Sequence, residues 1–311
     1  MPSPSSNLSL FISIDLVGST AFKNGYRKIG NEQPWLDFFE SFYRDVPNQL
    51  KSFIGAEKSY CPIIWKTVGD EIVFTCSITK KDQCKNIILG LYNTIIKYHR
   101  ELALRGLSLK IKATAWLVGF PVINAKIKIE DGSGVRDDYI GPSIDIGFRL
   151  TKYADSRNLI ISVELAYVLS DTLTSSDEDT LLGGLFLEKE EILKGAFNGI
   201  PYPIFSIKIQ DEFEKSRLNV FKKTKVENVD LKNYCKEYIK QVNDPYVIVL
   251  PYIKCQNEEP YNGIPEAHEE VIQNLLKKEM GDYEKNRKPE GILETGEEKL
   301  EVSDEIKKLN N

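Results

Sequence analysis

The chain has 311 residues, 41% hydrophobic and 28% charged, and its 46 acidic against 41 basic side chains leave a formal net charge of -5. An apolar fraction of that size fills a core at this length, so one large or two ordinary domains are expected and a chain disordered throughout is excluded. The acidic balance argues against general nucleic-acid binding, which needs a basic face to release phosphate counterions, yet leaves room for a small polyanion held by a few placed cations.

Leu8, Leu10, Ile12 and Ile14 alternate with polar or small neighbours and run into Asp15, the pattern of a strand. Leu16-Val17-Gly18-Ser19-Thr20 then reads as a turn and a helix start that Ser19 or Thr20 can cap. Trp35, Phe38, Phe39, Phe42, Tyr43, Val46, Leu50 and Phe53 recur at helical spacing and predict an amphipathic helix laid on a sheet, with a kink or break at Pro47. Strands over 63–66 and 72–76 flank Val68-Gly69-Asp70-Glu71, a hairpin with a carboxylate at its tip. A second helix follows, with Cys84, Ile87, Ile88, Leu91, Ile95, Tyr98 and Leu102 on one face.

Next come a strand over 107–117, an irregular or hairpin segment over 122–134, a helix over 142–153 and a strand over 159–163. A short helix over 165–173 and strands over 187–193 and 204–209 complete the pattern. That order predicts an α+β sandwich with helices packed on one antiparallel sheet. From about residue 211 the character changes: helices over 231–242 and 267–280 flank one apolar strand, Tyr246-Val247-Ile248-Val249-Leu250. Residues 282–311 are charged and almost without aromatics. The boundaries expected are an N-terminal extension over 1–7, a main domain over 8–210, a small α/β appendage over 211–281 and a mobile tail over 282–311.

No run approaches the roughly 18 apolar residues of a membrane span. The opening MPSPSSNLSL has neither a basic n-region nor a long apolar stretch, so a cytoplasmic protein is expected. Cys61, Cys76, Cys84, Cys235 and Cys255 are odd in number, widely spaced and without a C-x-x-C pair, which indicates buried free thiols rather than a disulfide framework or zinc finger. With only His99 and His268, both in helical contexts, a histidine metal site or a Ser-His-Asp triad has little to draw on. Any chemistry falls to carboxylates.

Asp15 and Asp70 each end a strand beside a glycine-containing turn. If the first strand lies beside the hairpin, both carboxylates reach one edge and can share two divalent ions, which clamp the attacking and leaving oxygens of a phosphoryl displacement. Oxygen-only ligands suit Mg2+ or Mn2+. The turn through Gly18, Ser19 and Thr20 offers backbone N–H groups and a helix N-terminus to phosphate. Taken singly, each Asp also reads as an ordinary turn or cap residue.

The strings IDLVGST, KTVGDE, DYIGPSIDIGFRL and LKG, in that order across roughly residues 8–209, resemble the class III nucleotidyl cyclases. The resemblance implies a ferredoxin-like α+β cyclase fold, a homodimer with active sites in the groove between protomers, a nucleoside triphosphate substrate and two divalent ions, Mn2+ or Mg2+, per site. Asp15 and Asp70 match the two metal-binding aspartates, and the Leu16 carbonyl would be a main-chain ligand. Lys66 and Asp138 stand where the family reads the base. Arg149 matches the transition-state arginine and Lys194 the lysine that holds the triphosphate, both facing the metal site of the other chain. Lys66 and Lys194 can also be read as solvated strand-edge lysines.

One position departs from the family: the Asn four residues before the arginine is Asp145 here. Asp145 and Arg149 are then either a plain intrahelical ion pair, worth under about 1 kcal/mol, or a groove-facing pair whose carboxylate orients the ribose or takes a proton. Within the class, the short chain with no sensor module ahead of Asp15, the aromatic helix through Trp35 and Tyr43 and the C-terminal appendage look most like the pyrimidine cyclases of bacterial Pycsar antiphage defence. That likeness implies conversion of UTP or CTP to cUMP or cCMP and pyrophosphate, with the product read by a separate effector. Lys66 with Asp138 would also suit adenine, so an adenylate cyclase stays an alternative, as does an inactive nucleotide-binding or interaction domain. Tyr43 could close a small pyrimidine pocket or belong to a core stripe.

Overall fold

Leu8, Leu10, Ile12, Ile14 and Leu16 join one buried cluster while Phe11, between them, joins a second on the opposite side of the same strand. That period of two is what a strand covered on both faces requires. In the computed structural model, which describes residues 7–28, 33–132, 134–209, 226–253 and 260–286 with residues 216 and 220, this strand is β1, Asn7–Val17. The chain divides into two compact units, 1–272 and 273–311. All that follows concerns the first, apart from the last helix, whose residues run on into the second.

The strands after β1 are β2 (Ile63–Val68), β3 (Glu71–Ile78), β4 (Lys110–Phe120), β5 (Ala125–Asp131), β6 (Gly134–Ile140), β7 (Asn158–Ile161), β8 (Leu185–Glu191) and β9 (Tyr202–Lys208). Seven of them form one sheet in the order β2-β3-β1-β4-β7-β9-β8, and β5 and β6 form a separate hairpin. The first four strands, with helices between β1 and β2 and between β3 and β4, make the β-α-β-β-α-β pattern of a ferredoxin-like core. The sheet is mixed, not antiparallel throughout as expected: β4 and β7 run parallel through Thr114 with Ile160 and Ala115 with Ile161. A parallel pair needs a crossover, and the β5–β6 hairpin with helix α4 (Pro142–Leu150) supplies it. The segment expected as irregular or hairpin over 122–134 is a hairpin that continues to Ile140, which places Asp138 on β6.

Between β1 and β2 lie α1 (Ser19–Lys28) and α2 (Gln33–Ile54), and between β3 and β4 lies α3 (Lys81–Leu104). Phe38, Phe42, Val46 and Leu50 of α2 and Ile87, Leu91 and Ile95 of α3 cover the larger sheet face. Helix α2 runs unbroken through Pro47, correcting the expected break. A proline inside a helix removes one N–H and costs about 3 kcal/mol. Pro47 is buried in the stripe that packs on α3, and a Cβ on Gly90 would come within 2.5 Å of Ile54, so the two helices are in close contact. That packing outweighs the missing hydrogen bond.

The other sheet face is smaller. Helix α4 and the β5–β6 hairpin cover Phe11, Val73, Trp116 and Val118 with Ile144, Tyr139 and Phe148. Gly147 lies on the Trp116 ring, where a Cβ would stand 2.1 Å away. Asn124 fixes the start of α4: its Oδ1 accepts from Ser143 N at 3.0 Å and its Nδ2 donates to the Gly119 carbonyl at 2.9 Å.

After β7 come α5 (Val163–Ser170) and a short helix not expected from sequence, α6 (Ser175–Thr180). Helix α7 (Asn228–Val242) packs on α5 and buries Leu231, Cys235, Tyr238 and Ile239 in the main cluster; α8 spans Glu266–Asn286. The apolar run 246–250 forms no strand, which corrects that expectation. Pro245 and Pro251 flank it, and the N–H groups of Val247 and Ile248 both donate to the Asp244 carbonyl at 3.2 Å, so the run is spent on a turn rather than a ladder. Cys76, Cys84 and Cys235 are buried free thiols and Cys61 is half-buried, while Cys255 and residues 287–311 lie outside the described residues. Among the described residues no helix is long and apolar enough to cross a membrane.

Candidate active site

The register of β1 decides which side chains meet at its C-terminal end. Asp15 stands opposite Glu71 on β3 and opposite Lys112 on β4. The two-residue turn Gly69-Asp70, with Gly69 at φ 62°, joins β2 to β3 directly beside them. A positive φ at the first turn position is what a tight primed hairpin demands, so Gly69 is a structural requirement of the tip. The structure therefore brings Asp15 and Asp70 to one corner. Leu16 follows Asp15 within the strand, paired with Ile111 and with its side chain in the core. Gly18, at φ 89°, turns the chain into α1, where Ser19 is buried and Thr20 exposed.

Two side chains hold the tip. Ser19 Oγ donates to Asp70 Oδ2, and the Tyr43 hydroxyl donates to the Gly69 carbonyl. Two further residues were not anticipated from sequence. Glu71 accepts a hydrogen bond from Ser13 Oγ, and Lys112 Nζ lies 3.1 Å from Asp15 Oδ2. Strand alternation could have placed Glu71, because it follows Asp70 in a strand adjacent to β1. Lys112 depends on the β1–β4 register, which nothing local in the sequence fixes.

Burial pushes the Asp15 carboxyl above its ordinary range and the charge of Asp70 adds to the effect, while the hydrogen bond and charge of Lys112 oppose it. Glu71 is raised by burial and by Asp15 and Asp70, with Ser13 and Lys112 opposing. The Tyr43 hydroxyl is likewise raised by burial and by Asp70. Crowded carboxylates of this kind gain from an added cation. Among the described residues no three His, Cys, Asp or Glu side chains close around a single point. The corner instead offers two neighbouring hard carboxylates at an open edge, which fits Mg2+ or Mn2+ ions that keep several waters and take further oxygens from a substrate phosphate.

A second group forms on the same sheet face. The β2–β3 register shifts between Ile64 and Lys66, a bulge at Trp65. Lys66 Nζ stands 3.6 Å from Asp138 Oδ1 and 3.7 Å from the Trp65 ring centroid. Trp65 packs edge-on against Tyr139 at 5.1 Å and near Phe148 at 6.2 Å. Lys66 is on an edge strand, where a solvated lysine is ordinary, yet it meets Asp138, the residue that the cyclase resemblance sets beside it.

The third group lies at the end of α4. Arg149 Nε donates to the Lys194 carbonyl at 3.0 Å, so the guanidinium is tied to the turn after β8, where Gly195 has φ 74°. Lys194 is exposed. Asp145 is exposed on the first turn of α4, and among the described residues no ion pair joins it to Arg149. In the sheet, β4, β7 and β9 separate β1 from β8. Asp15 and Asp70 thus form one group, and Arg149 with the Lys194 turn forms another.

This architecture is that of the class III cyclase catalytic domain. The adenylyl cyclase CyaB from P. aeruginosa matches 68% of this chain and 98% of its own with a TM-score of 0.52 at 14% identity. The guanylate cyclase domain of RhGC from Catenaria anguillulae in complex with GTP matches 68% of this chain and 100% of its own, with a TM-score of 0.48 at 11% identity. The guanylyl cyclase Cya2 matches 68% and 98%, with a TM-score of 0.47 at 11% identity. No protein-family model and no curated protein sequence matches the chain.

Proposed function

We propose that the chain is a nucleotide cyclase that converts a pyrimidine triphosphate, UTP or CTP, to the 3',5'-cyclic monophosphate and pyrophosphate. The observation that carries this reading is the corner itself: Asp15 and Asp70 meet at the end of β1 and the tip of the β2–β3 hairpin, in a cyclase-type sheet. In the reaction the ribose 3'-oxygen forms a bond to the α-phosphorus, the bond from that phosphorus to the bridging oxygen of the β-phosphate breaks, and pyrophosphate leaves. Mn2+ or Mg2+ ions held by Asp15, Asp70 and the Leu16 carbonyl would supply acidity to the hydroxyl and charge neutralisation to the phosphates.

The chain's own groups take the remaining roles. The turn through Gly18, Ser19 and Thr20 presents N–H groups to phosphate at the start of α1. Lys66 donates to a carbonyl or ring acceptor of the base, and Asp138 accepts from an exocyclic amine or a ring N–H. Trp65, Tyr139 and Phe148 crowd that pair, which favours the smaller pyrimidine ring. Arg149 and Lys194 of a second copy neutralise the charge that grows toward pyrophosphate. Asp145, unpaired with Arg149, is left to orient the ribose or receive the 3'-hydroxyl proton. The reading includes a homodimer with two equivalent sites and a separate effector that reads the cyclic product, the arrangement of Pycsar antiphage defence.

Incubation of the purified chain with Mn2+ or Mg2+ and each of the four ribonucleoside triphosphates separately tests this reading. One cyclic pyrimidine monophosphate with matching pyrophosphate is expected. Cyclic AMP alone would move the assignment to an adenylate cyclase, and no cyclic product from any of the four would overturn the enzyme reading.

A further inference from the structure

Lys112 is a cation placed where a metal-binding corner would admit a metal. It stands on β4 opposite Asp15, on the same face as Thr114 and Trp116, and its Nζ lies 3.1 Å from Asp15 Oδ2 with both side chains about three-quarters buried, at 25% and 28% exposure. Asp15, Asp70 and Glu71 carry three formal negative charges, and among the described residues Lys112 is the one cation found in an ion pair with any of them. An ion pair so sheltered is less screened than a surface pair, and loss of one partner leaves the other uncompensated. The lysine stem is flexible and its ammonium is a compact point charge, so it can leave Asp15 without moving the strand.

We propose that Lys112 is a resident counter-ion of the carboxylate corner, which a divalent ion must displace from Asp15 in order to bind, so that Lys112 sets the metal requirement of the site. This rests on the reading of Asp15 and Asp70 as metal ligands. While no divalent ion is bound, the ammonium holds Asp15 in place against the repulsion of Asp70 and Glu71. When an ion approaches, the ammonium either swings away or repels it, and in both cases the ion binds more weakly than to the same carboxylates without Lys112.

The test is a titration of the full chain with Mn2+ alone, without nucleotide, at mildly alkaline pH, following free Mn2+ by electron paramagnetic resonance. Lys112→Met is expected to tighten Mn2+ binding by about tenfold, the scale on which groups around a metal's ligands change its affinity. Lys112→Arg keeps the charge and is expected to bind no more tightly than the unaltered chain. Lys112→Gln provides a polar replacement should the methionine variant not fold. Unchanged or weaker binding in both charge-removing variants overturns the proposal. Asp15→Asn in parallel separates the two levels. If it abolishes Mn2+ binding while Lys112→Met leaves the affinity unaltered, only the counter-ion role falls. If Asp15→Asn leaves binding intact, the metal reading and the counter-ion role fall together.

Discussion

Asp15→Asn and Asp70→Asn each keep the shape of the side chain while removing a charge from the corner. Each is expected to lower cyclase turnover by more than about a hundredfold, since loss of a ligand exceeds the 10- to 100-fold cost of losing a supporting group around one. Both variants should retain the far-ultraviolet circular dichroism of the parent, because each substitution is isosteric and, at Asp15, burial and the charge of Asp70 already work against the carboxylate. Near-normal turnover in either variant would contradict the metal assignment. These two residues were legible because an Asp beside a glycine turn at a strand end is a local pattern. Lys66 and Asp138 became a pair only through the resemblance, since β2 and β6 belong to different sheets. Glu164, on α5, was not legible at all. It is buried, one of its carboxyl oxygens has no partner, and burial pushes its pKa from 4.5 to about 7 in spite of hydrogen bonds from Ser162 and Tyr202. Tyr202, Tyr238 and Cys235 face it, and none of these supplies a positive charge. A carboxyl whose pKa is higher folded than unfolded favours the fold while protonated, so its contribution is complete below 4.5 and is lost as pH rises through about 7. Glu164→Gln is therefore expected to reduce the fall in stability between about pH 5 and pH 8, by up to about 3 kcal/mol at one unit per 1.36 kcal/mol. Denaturant titrations with the same pH dependence in both proteins would contradict this.

At the scale of elements, periodicity located most helices and strands, and long-range packing decided the rest. The helices over 35–53 and 84–102 were legible because their apolar faces recur every turn, and both exist as α2 and α3. Pro47 misled because the contact that carries α2 past it lies on α3, far along the chain. The run 246–250 misled in the opposite sense: its side chains suit a strand, yet its flanking prolines and the Asp244 turn deny it a partner. The parallel β4–β7 pair could not be read from strand content alone, because β5, β6 and α4 intervene. Helix α4 carries Asp145 and Arg149 and touches the sheet through a glycine at its centre. Gly147→Ala drives a methyl group into the Trp116 ring, and an overpacked core of this kind costs about 1 to 3 kcal/mol. A lower denaturation midpoint is expected, together with a loss of activity larger than the stability change explains, since the helix shifts the reach of Arg149 to the Lys194 turn. An alanine variant with unchanged stability and activity would show that α4 is not seated this way.

At the scale of the molecule, one chain holds two separate groups. The carboxylate corner belongs to β1 and β3, while Arg149 is tied to the turn after β8, and three strands lie between β1 and β8 in the sheet. A symmetric pair of chains can place the corner of each against the Arg149 group of the other, because a two-fold interface presents the same two surfaces twice. The acidic balance and scarcity of histidine fit that arrangement, in which carboxylates and placed cations serve where a histidine base is absent. The most direct measurement is cyclic monophosphate formation by Asp15→Asn, by Arg149→Ala and by their equimolar mixture. Each variant alone should be inactive, whereas the mixture should recover about one quarter of the parent rate, because half of the randomly paired dimers carry one intact site of two. A mixture as inactive as its components, beside an active parent, would contradict a site shared between two copies, and a parent that forms no cyclic product would contradict the cyclase itself.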